Sequence, residues 1–259
     1  MTEPDLVAAL TTLGRDGTRR PLLVALDFDG TLAPLQDDPA ASRILPPGDE
    51  VLARIAAAPG VALALVSGRA LADLHKLAQM PAGTFLVGSH GAERARVTAH
   101  GLDRDVVQLT DEQADRLSEL GARALEVSRG RDGVWVESKP TAVVVHTRLA
   151  DAPVAQAATA QALELGARLG TGVIQGRDVV EITVLRADKG EALVALRDEL
   201  DAAVVLYAGD DVTDEHALET LRAGDVGIKV GTAPSVAPYR APDPAAVVAA
   251  LGALADALG

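Results

Sequence analysis

Leu22-Leu23-Val24-Ala25-Leu26-Asp27-Phe28-Asp29-Gly30-Thr31 decides how the rest of the chain is read. Five consecutive apolar residues have the pattern of a short strand buried on both faces. The run ends in two aspartates one residue apart and a Gly-Thr turn. Alternate side chains of an extended backbone share a side, so Asp27 and Asp29 point into one crevice. In an open α/β sheet, ligands bind in that crevice, outside the carboxyl ends of the strands. Two carboxylates there repel each other, and a bound Mg²⁺ resolves the repulsion. It is a hard cation that takes carboxylate and carbonyl oxygens and is often shared with a substrate phosphate. Asp and Gly are also ordinary in solvated turns; the buried strand before them is what favours chemistry.

Working outward, apolar strand patterns alternate with helical stretches, which predicts a parallel sheet. Residues 61–66 run into Ser67-Gly68-Arg69, residues 85–87 into Gly88-Ser89-His90-Gly91, and residues 204–208 into Gly209-Asp210-Asp211. Helices are predicted near 48–58, 70–78 and 244–257, with a further strand at 226–230. The middle of the chain differs. A helix at 111–127 precedes two hairpins, 134–148 turning through Lys139-Pro140-Thr141 and 172–185 turning through Gly176-Arg177-Asp178, with a helix at 153–168 between them. Hairpins make antiparallel sheet. The expected fold class is therefore α/β, a Rossmann-like parallel-sheet core with helices on both faces. Residues 1–106 and 185–259 form it, and 107–184 form a smaller inserted α+β domain.

Composition narrows the function classes. A chain of 259 residues that is 48% hydrophobic can bury one large core, or a core plus a smaller domain. No apolar run reaches membrane-spanning length and Met1-Thr2-Glu3-Pro4-Asp5 is acidic, so neither a transmembrane helix nor a secretory signal is expected. The absence of cysteine excludes disulfides, thiol catalysis and thiolate metal sites and is compatible with a cytoplasmic location. A formal net charge of −13 argues against a nucleic-acid partner but allows a small anionic substrate if a few cations gather locally. Aromatics at 2% leave little from which to build stacking platforms. A monomer is expected.

Four polar clusters follow strands or open helices: Asp27/Asp29, Ser67, Lys189 in Ala187-Asp188-Lys189-Gly190, and Asp210/Asp211/Asp214 in Gly-Asp-Asp-Val-Thr-Asp-Glu. Together they suit phosphoryl transfer. Asp27 can act as nucleophile, giving an aspartyl-phosphate that splits one hard hydrolysis into two easier steps. Asp29 can protonate the leaving oxygen and then take a proton from the attacking water. Asp210 with Asp27 can hold Mg²⁺, which offsets nucleophile–phosphate repulsion. Ser67 and Lys189 can donate to the non-bridging oxygens. Phosphate-monoester hydrolysis can demand roughly 10²¹-fold acceleration, whereas a general acid supplies about 10² to 10⁴, so the whole set is needed. Taken singly, Ser67 reads as a helix N-cap, Lys189 as a solvated helix residue and Asp210–Glu215 as an acidic first turn; their joint order reverses those readings.

That order resembles the haloacid-dehalogenase superfamily of aspartate-nucleophile phosphatases, over residues 22–31, 61–69, 187–191 and 206–215. The insert between the Ser67 and Lys189 motifs then implies a type-2 cap. Residues 26–34 (Leu-Asp-Phe-Asp-Gly-Thr-Leu-Ala-Pro), 88–93 (Gly-Ser-His-Gly-Ala-Glu) and 209–215 together are similar to the trehalose-6-phosphate phosphatase family. The resemblance implies Asp27 as nucleophile, Asp29 as acid/base, and Mg²⁺ held by the Asp27 carboxylate, the Asp29 backbone carbonyl and Asp210, with Asp214 in support. It also implies substrate contacts from Arg69, Ser89, His90 and Glu93. In the insert, strand alternation puts His146 and Arg148 on one face, and the family pattern carries over Lys139, His146, Arg148 and Glu181 as sugar-recognition candidates. Thr183-Val184 stands where many members of the family have Arg-Pro. The activity so implied is hydrolysis of trehalose 6-phosphate. The alternatives are another sugar phosphate, such as sucrose or mannosylglycerate phosphate, and a phosphorylation-responsive module resembling a receiver domain.

Overall fold

The computed structural model describes residues 3–36, 38–105, 109–139, 141–176, 178–185 and 188–259. The chain divides into two compact units. One comprises Met1–Asp105 with Asp188–Gly259, the other Val106–Ala187. Pro140 and Arg177 of the expected hairpin turns, Ala187 of the Lys189 motif and residue 107, the start of the expected insert, lie outside the described residues.

The first unit holds α1 (Glu3–Arg15), β1 (Leu22–Leu26), α2 (Gly48–Ala57), β2 (Val61–Val66), α3 (Leu71–Ala78), β3 (Phe85–Gly88), β4 (Glu93–Thr98) and β5 (Gly101–Arg104). The second unit contains α4 (Asp111–Ser128), β6 (Trp135–Ser138), β7 (Ala142–His146), α5 (Ala152–Leu169), β8 (Gly172–Gly176) and β9 (Val179–Thr183). The chain then returns to the first unit with α6 (Lys189–Glu199), β10 (Val204–Gly209), α7 (Val212–Glu219), β11 (Val226–Val230), β12 (Tyr239–Ala241) and α8 (Pro244–Leu258).

The first unit is built on an eight-stranded sheet in the order β12-β11-β10-β1-β2-β3-β4-β5. It is parallel from β12 to β3, and β4 and β5 extend it as an antiparallel hairpin. The two central strands are buried along their whole length, as uninterrupted apolar sequence requires. Alternation divides β1 between two cores. Leu22, Val24 and Leu26 join residues of α1, α2, α3 and α8 on one face. Leu23 and Ala25 join residues of α6 and α7 on the other. Strand order runs from β1 through β2 to β3 on one side and from β10 through β11 to β12 on the other. The sequence direction therefore reverses between β1 and β10, the kind of switch point at which such sheets open a crevice.

The second unit is a four-stranded antiparallel sheet, β6-β7-β9-β8, with α4 and α5 packed on one face through Val143, Val145, Val180 and Ile182. The opposite face carries Trp135, Glu137, Val144, His146, Glu181 and Ile174 by strand alternation. No helix among the described residues is long and apolar enough to cross a membrane.

Candidate active site

β1 and β10 deliver the central carboxylates side by side at the switch point. Asp27 follows β1 directly, its amide bonded to the Ala208 carbonyl at 2.9 Å. Gly30 has φ of +77°, and a Cβ there would run into the Asp210 carboxylate. Only glycine fits a backbone pressed so close to an acidic side chain. Carboxylate oxygens of Asp27, Asp210 and Asp214 lie within 4.8 Å of one another.

Lys189, the first residue of α6, reaches into this cluster with 2% of its side chain accessible. Its Nζ donates to Asp27 Oδ1 at 2.9 Å and to Asp214 Oδ1 at 2.8 Å. Asp188 fixes where α6 begins, because its Oδ1 accepts the Gly190 and Glu191 amides at 2.8 and 3.1 Å. Its Oδ2 meets His216 Nδ1 at 2.6 Å. Against the effect of burial, these partners hold the Asp188 carboxyl below its ordinary range.

The Asp210–Glu215 run divides its labour. Asp211 caps α7, its Oδ1 accepting the Asp214 amide at 2.9 Å. Asp214 is fully buried, and all four of its acceptor positions are taken. Oδ1 accepts from Lys189 and from the Tyr207 hydroxyl at 2.6 Å. Oδ2 accepts the Asp210 and Asp211 amides, both at 3.0 Å. Asp210 is left facing the crevice. Burial pushes its carboxyl up to about 6, with Asp214 and Asp211 adding to the rise. Burial also pushes Asp27 up, to about 8, with Lys189 opposing and Asp214 reinforcing. For Lys189 burial is again the largest single effect and would lower the ammonium, but the neighbouring carboxylates, Asp27 and Asp214 foremost, together raise it. Such a crowded, oxygen-only set suits a hard divalent cation.

The Asp29 carboxylate is gripped by Arg69 through Nε–Oδ2 at 2.5 Å and Nη2–Oδ1 at 2.7 Å. The guanidinium also donates to Ser42 Oγ at 2.9 Å and lies 5.6 Å from the centre of the Phe28 ring. Arg69, expected at the substrate, is thus occupied with the expected acid/base.

Ser67 is buried at the end of β2, and its Oγ accepts the Arg69 amide at 3.2 Å. It does not cap α3, which begins at Leu71. That cap comes from the first residue of β4: Glu93 Oε2 accepts the Leu71 amide at 3.0 Å and the Ser89 hydroxyl at 2.7 Å. Backbone bonds from Ser89 to Arg69 and from His90 to Ser67, at 2.7 and 3.0 Å, stitch the two loops together. His90 occupies the left-handed region at φ 58°, its ring lying against Gly68. Ser89 and Glu93 therefore have structural partners the sequence does not announce. Glu93→Ala is expected to cost about 1–2 kcal/mol, a typical helix-cap loss. Thermal melts should register this as a midpoint lower by several degrees.

Sequence reasoning also missed Tyr207, Glu137 and Lys229. The last is a buried lysine at the end of β11 that bonds the Asp211 carbonyl at 3.1 Å and pairs with Glu215 at 2.8 Å, bracing the acidic loop from behind. An isolated Lys in Val226-Gly-Ile-Lys-Val230 was the available signal.

In the second unit, Lys139 and Glu181 come together at 2.7 Å, and His146 pairs with Glu137 at 2.9 Å. β7 ends at His146 and Arg148 lies in the following turn, so strand alternation does not place Arg148 on the His146 face.

Comparison with known proteins decides the lineage. The family model described as trehalose-phosphatase matches residues 25–245. The chain belongs to the trehalose-phosphatase family. A trehalose-phosphate phosphatase of Mycobacterium avium is 37% identical over 236 residues, covering 86% of this chain and 57% of that one. The chain spans smaller shares of several longer relatives. Among solved structures, a trehalose-6-phosphate phosphatase of Aspergillus fumigatus superposes with a TM-score of 0.68 at 23% identity, over 96% of this chain and 97% of that one. A haloacid dehalogenase-like hydrolase of Bacteroides thetaiotaomicron does so with a TM-score of 0.59 at 18% identity, over 88% and 97%. The fold is thus the α/β haloacid-dehalogenase type expected from the sequence.

Proposed function

We propose that this chain is a Mg²⁺-dependent phosphatase that hydrolyses trehalose 6-phosphate to trehalose and inorganic phosphate through an aspartyl-phosphate. The observation that carries the proposal is the Asp27–Lys189–Asp214 cluster beside Asp210 at the switch point of a trehalose-phosphatase family member. An Asp27 carboxylate oxygen attacks phosphorus as the bond from phosphorus to the sugar oxygen breaks, and Asp29 delivers a proton to that departing oxygen. Asp29 then takes a proton from water. The water oxygen attacks the phosphorus of the aspartyl-phosphate, which frees Asp27 and releases phosphate.

Lys189 spends two of its three N–H donors on Asp27 and Asp214, holding the nucleophile in place. The third would donate to a phosphate oxygen, as would the Ser67 hydroxyl. To serve as acid, Asp29 has to turn from the Arg69 guanidinium toward the leaving oxygen. Mg²⁺ would be held by the carboxylates of Asp27 and Asp210 and the Asp29 carbonyl, where it would neutralise phosphate charge. Asp214, its acceptor positions filled, supports the Asp210 loop rather than binding the ion directly. In the second unit, Lys139, His146, Arg148 and Glu181 serve sugar recognition.

The test is phosphate release from trehalose 6-phosphate set against sucrose, glucose and mannosylglycerate phosphates, with Mg²⁺ and with chelator. Strong preference for trehalose 6-phosphate and loss of release in chelator are expected. Preference for another ester, or indifference to chelator, would overturn the substrate or the metal assignment respectively.

A further inference from the structure

Five aromatic residues serve the whole chain. Phe28, Tyr207 and Phe85 are buried in the cores of the first unit, where an aromatic ring contributes most to stability. The single tryptophan is placed differently. Trp135 opens β6, the edge strand of the second unit's sheet, and points to the face away from α4 and α5 with 38% of its surface accessible. Its ring lies parallel to the His146 imidazole, centroids 4.6 Å apart and planes within 4°. His146 is held in turn by Glu137 at 2.9 Å. The indole is therefore a fixed flat surface and not a loose edge group. Beside it on the same face stand the carboxylates of Glu137 and Glu181 and the ammonium of Lys139.

A pyranose ring has an apolar face of C–H groups and a rim of hydroxyls. An aromatic plane flanked by carboxylates complements both, and pre-ordering the plane lowers the cost of binding. The net charge of −13 and the acidic flanks disfavour a nucleotide base as occupant. We infer that the Trp135–His146 stack is a sugar platform and that Trp135 is a specificity-determining residue, docking a hexopyranose ring of the phosphorylated disaccharide. This inference deepens the trehalose 6-phosphate reading and rests on it for the identity of the sugar.

Because Trp135 is the only tryptophan, intrinsic fluorescence reports on the platform alone. The sugar phosphates of the release panel are titrated onto the Asp27→Asn protein, and KM and kcat for trehalose 6-phosphate are measured on the wild type, Trp135→Ala and Trp135→Phe. The expected results are a saturable emission change with trehalose 6-phosphate and a KM about tenfold higher in Trp135→Ala with kcat within about twofold. Trp135→Phe, which keeps a flat ring, should fall between. Flat emission with every sugar phosphate, or an unchanged KM in Trp135→Ala, overturns the platform even if trehalose 6-phosphate is turned over. If the wild type releases no phosphate from trehalose 6-phosphate, a saturable emission change with another disaccharide phosphate upholds the platform and overturns the trehalose reading instead.

Discussion

Asp27→Asn is expected to lower kcat for trehalose 6-phosphate by about 10⁴-fold or more, while leaving the thermal midpoint in chelator unchanged or higher. The activity loss follows from chemistry: an amide of the same shape has no carboxylate oxygen to form the acyl phosphate. The stability side follows from charge. Lys189 is one ammonium facing two buried carboxylates, Asp27 and Asp214. Burial raises the Asp27 carboxyl to about 8 in the folded chain, well above the ordinary range of an aspartate in the unfolded chain. A folded-state value above the unfolded one means that ionisation near neutral pH favours the unfolded chain, so the charged residue costs stability there. The amide removes that cost and leaves Lys189 and Asp214 as a balanced pair. Phosphate release and melts in chelator check both halves. Turnover within tenfold of wild type would sink the nucleophile assignment, and a clearly lower midpoint would make Asp27 a net structural contributor.

This conflict between local stability and chemistry is also why the site was legible. Carboxylates crowded at the ends of fully apolar strands have no packing rationale, so Asp27, Asp29 and Asp210 stood out against their surroundings. β1, β2 and β10 were legible for the same reason, since strands of the sheet interior are unbroken apolar runs. The β4–β5 hairpin was not. Glu93-Arg-Ala-Arg-Val-Thr98 buries only alternate residues, and its turn lacks the Asn-Gly or Asp-Gly signal of a tight hairpin. α1 also went unassigned, although Leu6, Leu10 and Leu13 have helical spacing and are fully buried.

What sequence could not divide was duty within a motif. Asp211 and Glu93 cap helices, whereas Asp210 faces the crevice. Residue type and spacing are the same for either task; only the helix ends they meet distinguish them. Likewise, nothing local links Arg69 to Asp29, 40 positions apart, or Trp135 to His146 across a strand pair. Low aromatic content left little from which to build a stacking platform, yet one tryptophan on one histidine suffices to make a plane.

Lys189→Met should have the largest effect on stability. Methionine keeps most of the side-chain volume and removes the charge, leaving Asp27 and Asp214 buried without their cation. Asp214 would retain only the Tyr207 hydroxyl and two backbone amides as donors. Breaking a buried ion pair by deleting one partner costs about 3–5 kcal/mol, which for a chain of this size corresponds to a midpoint lower by roughly 10 °C. If Lys189 acted through packing alone, so conservative a change in shape would cost less than about 1.5 kcal/mol. Magnitude therefore separates the two accounts, and Mg²⁺ separates them again. A divalent cation held by Asp27 and Asp210 supplies positive charge to the same carboxylates and stabilises only the folded chain. The gap between the wild-type and Lys189→Met midpoints is expected to narrow when chelator is replaced by Mg²⁺. A gap of the same size under both conditions would mean that the ammonium and the metal site do not share charge, and the cluster would have to be read as two independent sites.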